Sequence, residues 1–157
     1  MPAVALTPSE AVSDIRVRAP ARGNRKLESL LDAANADDQL KAWWVVQQTN
    51  AERLAMSDHS WVHVQIVLNV ALRIFRLLER RGVQAAMVAD HGMTARDAEV
   101  VIAGACLLHD SGMSIHRTDH EAYSLFLAAS KLPQLLGTAY DEPERSVVVA
   151  EALHAII

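Results

Sequence analysis

At 157 residues and 51% hydrophobic, the chain is long enough to bury one core and short enough to be one domain. A net charge of -4 with a pI near 5.9 gives no electrostatic reason to bind nucleic acid or an anionic membrane. One cysteine excludes an internal disulfide and fits a reducing cytoplasm, so the expectation is a soluble, cytoplasmic protein.

The N-terminus is apolar only in patches, contains Pro2 and Pro8 and lacks a basic start, which is not the pattern of a signal peptide. Residues 1–23 mix Pro, Ser, Ala and Gly with Arg16, Arg18 and Arg22 and read as a loose lead-in. A short helix follows from about Arg25 to Ala34, so residues 1–36 form a partly flexible N-terminal segment ahead of a helical domain over 37–157. Asp37 and Asp38 supply a cap and first-turn charge for a helix through Leu40, Trp43, Trp44 and Gln47 toward Met56. Adjacent Trp43 and Trp44 point about a quarter-turn apart and are read as packing residues.

Ser57-Asp58-His59-Ser60 resembles a helix start. Val67, Val70, Ala71, Ile74 and Leu78 then recur at helical spacing up to about Arg81, where Gly82 stops the run. His63 lies four residues before Val67 and is expected on the same inward face, with His59 one turn above it. Arg73, Arg76 and Arg80 form a basic stripe read as a solvated face. The stretch from Trp61 to Leu78 is interrupted by His63, Gln65, Asn69, Arg73 and Arg76, which argues against a membrane span.

Residues 83–93 read as a short helix or turn ending at Gly92. Thr94 with Asp97 approximates a capping box for a helix through Ala98, Val101, Ile102, Ala105 and Leu108. Thr118 or Asp119 opens a further helix that Pro133 is expected to end near Leu132. Asp141 to Glu144 starts a last helix carrying Val147, Ala150, Glu151 and His154 on one face. That pattern stops at Ile157 without a capping residue, which predicts a chain cut before its domain ends. No period-two strand pattern is present, so the fold class is all-α, a single domain of about six helices.

The chemistry concentrates in AGACLLHDSGMSIHRTDHE, Ala103 to Glu121. An apolar helix there ends on adjacent His109 and Asp110, followed by Gly112, His116 and His120. An imidazole and a carboxylate at the end of a buried helix are costly without a partner, and a divalent metal is a common one. His63 from an upstream helix and His154 from the last helix are further candidates. Cys106, four residues before Asp110, is read as a small core residue, His91 as a turn residue, and His59 and His116 as surface groups or supports for ligands.

With His63 in HVQIV at a helix start and His109-Asp110 in LLHDSG at a helix end some forty-odd residues later, the arrangement resembles the HD superfamily of metal-dependent phosphohydrolases. DHSWVHVQIV and LLHDSGMSIHRTDHEAYS also resemble bacterial members, and the resemblance covers roughly residues 57–157. It implies a single HD-type helical domain with His63, His109 and Asp110 as metal ligands. Two imidazoles and a carboxylate suit Mn, Fe, Zn, Co or Ni better than Mg. By the same analogy Asp110 bridges two metals, and His120 and His154 are candidates for the second, giving one or two ions per chain. The implied reaction is attack of a metal-activated water on phosphorus. The implied substrate is a nucleotide or another small phosphate ester, with Arg117 reaching its phosphate. The family's last ligand is an aspartate on a later helix, and this chain ends before such a residue. Met113 stands where the cyclic-dinucleotide branch has a lysine, and no Gly-Tyr-Pro follows, so that substrate is not assigned.

Two other readings stand beside the enzyme. One is a catalytically incomplete HD module that binds a nucleotide or metal as a regulatory domain. The other is a helical interaction domain using the tryptophan pair and the arginine stripe. An uncovered apolar helix at the C-terminus also leaves room for a homodimer.

Overall fold

The structure is a computed structural model and describes residues 6–157. Eight α-helices and one short 3-10 helix make up the described part, which contains no strand, so the fold is all-α. The helices are α1 (Pro8–Ser13), α2 (Arg25–Ala36), α3 (Asp38–Arg53), α4 (Trp61–Arg80), α5 (Ala86–Ala89), α6 (Ala95–Leu108), α7 (His120–Leu136) and α8 (Glu144–His154). The 3-10 helix spans Ser111–Ser114, directly after His109-Asp110.

Three of the eight helix starts, those of α3, α4 and α6, are held by the side chains that the sequence suggests, whereas α7 and α8 begin without a side-chain cap bond. Asp37 caps α3 at Leu40 N (2.7 Å), and Ser60 caps α4 at Val62 N (3.1 Å). Thr94 and Asp97 form a reciprocal capping box on α6. Each satisfies backbone donors that the first helical turn would otherwise leave unpaired.

Helix α6 is the central element, with ten of its fourteen residues buried and α2, α4, α5, α7 and α8 packed around it. Gly104 makes this crowding feasible. A Cβ there would sit 3.0 Å from Leu132 Cδ1 and 3.7 Å from Ala152 Cβ, so α7 and α8 approach through its missing side chain. Helix α3 braces the C-terminal end of α6: the indole N–H of fully buried Trp44 donates to Leu107 O (3.1 Å), and Asn50 Nδ2 donates to Met113 O (2.9 Å). Partly exposed Trp43 packs against the core, as the reading of both tryptophans as packing residues predicts.

Three expectations differ from the structure. The segment before residue 37, where described, is part of the core and not a lead-in: Val12, Ile15, Val17, Ala21, Leu27 and Leu30 are all buried. Its backbone is laced between two helices. Val17 exchanges two 2.8 Å hydrogen bonds with Asn35 of α2, and the N–H and C=O of Arg18 meet Gln65 and Asn69 of α4. The loose composition hid amide side chains that supply the missing backbone partners. Second, α7 passes Pro133 and ends at Gly137 (φ +52). Leu132, Leu135 and Leu136 are buried, and their packing outweighs the hydrogen bond that proline removes in the last turn.

Third, α4 faces the core with a different side. Val64, Leu68 and Leu72 are buried, whereas Val70, Ile74 and Leu78 are exposed at 51%, 52% and 46%. An eighteen-residue window of α4 has a mean hydropathy of 1.4, so by length and composition alone this helix is able to cross a membrane. Among the described residues it is the single helix of that kind. Three of the polar residues that interrupt it have partners: besides Gln65 and Asn69, Arg76 pairs with Glu99 of α6 (2.6 Å).

Candidate metal centre

Asp110 lies between the C-cap of α6, His109, and the 3-10 helix, and is the most buried member of a histidine cluster, at 7% exposure. His109 precedes it, His63 comes from the first turn of α4, and His120 opens α7. Asp110 Oδ2 lies 3.1 Å from His63 Nε2 and 3.0 Å from His109 Nε2, and the two imidazole nitrogens are 3.2 Å apart.

This triangle has a chemical meaning. His109 Nδ1 is 2.8 Å from the carbonyl oxygen of Cys106, which accepts and cannot donate. The Nδ1 proton is thereby placed, and in the neutral ring the Nε2 lone pair points into the cluster. Acceptor atoms converging at about 3 Å repel one another unless something positive joins them. Three ligands about 2.1 Å from an octahedral ion lie about 3.0 Å apart along the edges of one face. The observed spacings of 3.0, 3.1 and 3.2 Å match that face, so His63, His109 and Asp110 can hold a metal ion.

The protonation pattern agrees. Burial is the largest influence on His63 and holds its pKa below the ordinary imidazole value, against the pull of Asp110. Burial lowers His109 too, but its hydrogen bond to Asp110 and that carboxylate's charge reverse the sign and raise it. Asp110 would be raised by burial, yet His109 and the charges of His63 and His59 hold it low.

The other carboxylate oxygen, Oδ1, faces His120 Nε2 at 3.4 Å. His120 Nδ1 donates to Arg117 O (3.1 Å), so this ring also turns its free nitrogen toward Asp110. Asp110 therefore presents one oxygen to the His63–His109 pair and one to His120. Gly112 sets this approach. A Cβ on it would overlap the carbonyl oxygen of His120 and fall 2.8 Å from Tyr123 Cβ, and its N–H donates to Ser124 Oγ at 2.8 Å.

The remaining candidates separate. Arg117 is exposed beside His120, with Nη1 3.5 Å from that ring, and borders the cluster without entering it. His154 lies exposed in the last turn of α8, apart from the three residues whose ligand atoms converge. A polar residue near the end of an amphipathic helix is also the ordinary position of a solvated side chain. His116 turns onto its own loop at Thr118, and His91 ties the turn before α6 to Glu151 of α8 (2.9 Å). Cys106 is buried and its thiol is pushed up to about 11, as a small core residue requires.

Sequence reasoning undervalued His59 and, although it placed α3, missed the part that α3 plays in positioning His63. The His59 ring lies 5.2 Å from that of His63, and its Nδ1 donates to Ser57 O (2.7 Å). Gln48 accepts from the His59 N–H (2.8 Å) and buried Gln47 donates to the His59 carbonyl, so α3 holds the loop that delivers His63. The adjacent glutamines were the available signal, but their target lies on another element and carries no pattern.

No family model matches the chain, and no solved structure does. An uncharacterized protein of Methanocaldococcus jannaschii is 33% identical over 104 residues, which is 66% of this chain and 40% of that protein. The chain thus spans less than half the length of the relative that it resembles.

Proposed function

We propose that this chain is a metal-dependent phosphohydrolase of the HD type, acting on a nucleotide or another small phosphate ester. The observation that carries the reading is the triangle of His63 Nε2, His109 Nε2 and Asp110 Oδ2, with His120 on the second carboxylate oxygen. The resemblance of HVQIV and LLHDSG to that superfamily supplies the reaction type, by analogy.

In this reading His63, His109 and Asp110 hold the first ion and His120 contributes to a second. Imidazole-rich ligation favours Mn, Fe, Co, Ni or Zn over Mg. A divalent cation bound here supplies Lewis acidity and a water of lowered pKa. The chain's own residues do the rest. The Cys106 and Arg117 carbonyls keep His109 and His120 in the tautomer that binds through Nε2. Gln47 and Gln48 fix the His59 loop, and Gly112 lets α7 come close enough to bring His120 to the carboxylate. Arg117 extends into solvent beside the cluster, where its guanidinium can clamp a phosphate oxygen pair.

The experiment is elemental mass spectrometry on the purified chain beside Asp110→Ala, followed by a Mn-dependent phosphatase screen on nucleotides and generic phosphate esters. Transition metal near one equivalent or more, lost in the variant together with phosphate release, is the expected result. Metal without turnover of any phosphate ester would instead establish a regulatory binding module. Absence of metal from both proteins after soaking in Mn would overturn the proposal.

A further inference from the structure

The outer face of α4 is unusual for a helix that packs its other side so well. Val62, Ile66, Val70, Ile74 and Leu77 follow one another at steps of four, four, four and three residues, with Leu78 beside them. Each leaves between 38% and 57% of its surface exposed. At about 100° per residue they form one stripe, with His63 at its N-terminal end. Continuous aliphatic exposure over a helix roughly 30 Å long exceeds the scattered apolar residues of an ordinary surface.

We propose that this stripe is the contact surface for a second copy of the same chain, packed antiparallel about a two-fold axis at Val70. The pattern is self-complementary in that register. Val62 faces the partner's Leu78, Ile66 faces the partner's Ile74, and Val70 meets the partner's Val70.

Charge selects the direction. Asp58 lies just before the helix, and the Ser60 N–H and hydroxyl hold its pKa below the usual carboxylate value, so it is an anion. Arg80 and Arg81 mark the other end. Antiparallel pairing sets the Asp58 end of each helix against the arginines of the other and opposes the helix dipoles. Parallel pairing would stack the arginines. Arg73, at the stripe's edge, falls opposite the partner's Val67, where its aliphatic stem adds cover. The six half-exposed aliphatic residues on each of two such faces leave on the order of 1,000 Å² to be covered in total, close to the minimum for a specific interface. The pairing stands independently of the phosphohydrolase reading, although it would put His63 at the rim of the interface.

The test is mass by light scattering, with and without disruption of the axis. The native chain is expected at twice 17.2 kDa. Val70→Glu is expected at 17.2 kDa with an unchanged helical circular dichroism spectrum, because Val70 is half exposed and its loss leaves the core intact. Phe126→Glu, on the 74%-exposed Phe126 of α7, is the control and stays dimeric. A short bis-maleimide is expected to join two chains of Val70→Cys but not of Phe126→Cys, against the low background of buried Cys106. A monomeric native chain, a dimer that survives Val70→Glu, or crosslinking through position 126 alone would overturn the proposal. A monomer that sediments with phosphatidylcholine vesicles, and loses this in Val70→Glu, would also overturn it by making the stripe a membrane-binding face.

Discussion

The two ends of α6 carry buried aspartates with opposite surroundings. Asp97, at the N-terminal end, is 4% exposed, and Asp110, at the C-terminal end, is 7% exposed. Asp97 is surrounded by donors. Lys26 Nζ (2.8 Å) and Tyr140 Oη (2.7 Å) reach Oδ1, while the Thr94 N–H (3.0 Å) and hydroxyl (2.6 Å) reach Oδ2. Burial by itself would raise its pKa, but these partners reverse that and hold it at about 2. Asp110 instead faces imidazole nitrogens, and for His109 and His120 a carbonyl on the far side of the ring has already claimed the proton. One carboxylate is finished by the fold. The other is arranged so that a cation completes it, and this contrast separates a structural acid from a functional one at equal burial.

The largest test of the contrast is truncation of each acid. Asp97→Ala should cost about 3 kcal/mol, since it removes half of the α6 capping box and leaves Lys26 and Tyr140 without their acceptor. Asp110→Ala, measured by urea unfolding in EDTA, should cost less, about 1 kcal/mol, because it removes contacts to partly exposed imidazoles and leaves no lysine or tyrosine without its acceptor. Equal losses would erase the distinction. Added cation should raise the loss in Asp110→Ala to about the level of that in Asp97→Ala. At a hundredfold its Kd, Mn should stabilise the native chain and Asp97→Ala by about 2.7 kcal/mol and leave Asp110→Ala unmoved. Thermal shifts with and without Mn measure this directly.

Acid gives a somewhat smaller effect. The folded pKa of Asp97, about 2, lies below the unfolded value near 3.9, so its stabilisation is complete above the unfolded value. It is lost as pH falls through the folded value. The stability gap between the native chain and Asp97→Asn should therefore narrow by about 2 kcal/mol between pH 5 and pH 2. A gap that stays constant over that range would mean the ion pair contributes nothing. A smaller change is expected for Tyr140→Phe, which removes one hydroxyl donor from Asp97 at a cost of about 1 kcal/mol. His120→Ala, the corresponding removal at Asp110, should leave unfolding in EDTA unchanged and lower only the metal stoichiometry.

Much of this was legible in the residues because it is local. Ser60 before an apolar run, the Thr94-Asp97 box and Gly82 after α4 act within one turn of the backbone, so the sequence by itself determined where these helices begin and end and that the fold is all-α. It also singled out His63, His109 and Asp110, since a histidine–aspartate pair ending an apolar helix is anomalous wherever it occurs. Tertiary structure alone decided what depends on neighbours distant in the chain. Helix α4 carries aliphatic residues on two sides, and periodicity cannot say which side meets α6. Only packing buried Val64, Leu68 and Leu72 and left Val70 and Ile74 outside. The same holds for His120 and His154, which are equivalent as polar residues at helix ends until the side-chain-free approach at Gly112 brings one of them to Asp110. Local chemistry was written in the order of the residues, whereas the choice among equivalent faces and equivalent histidines came from the free energy of packing, which exists only once the helices have met.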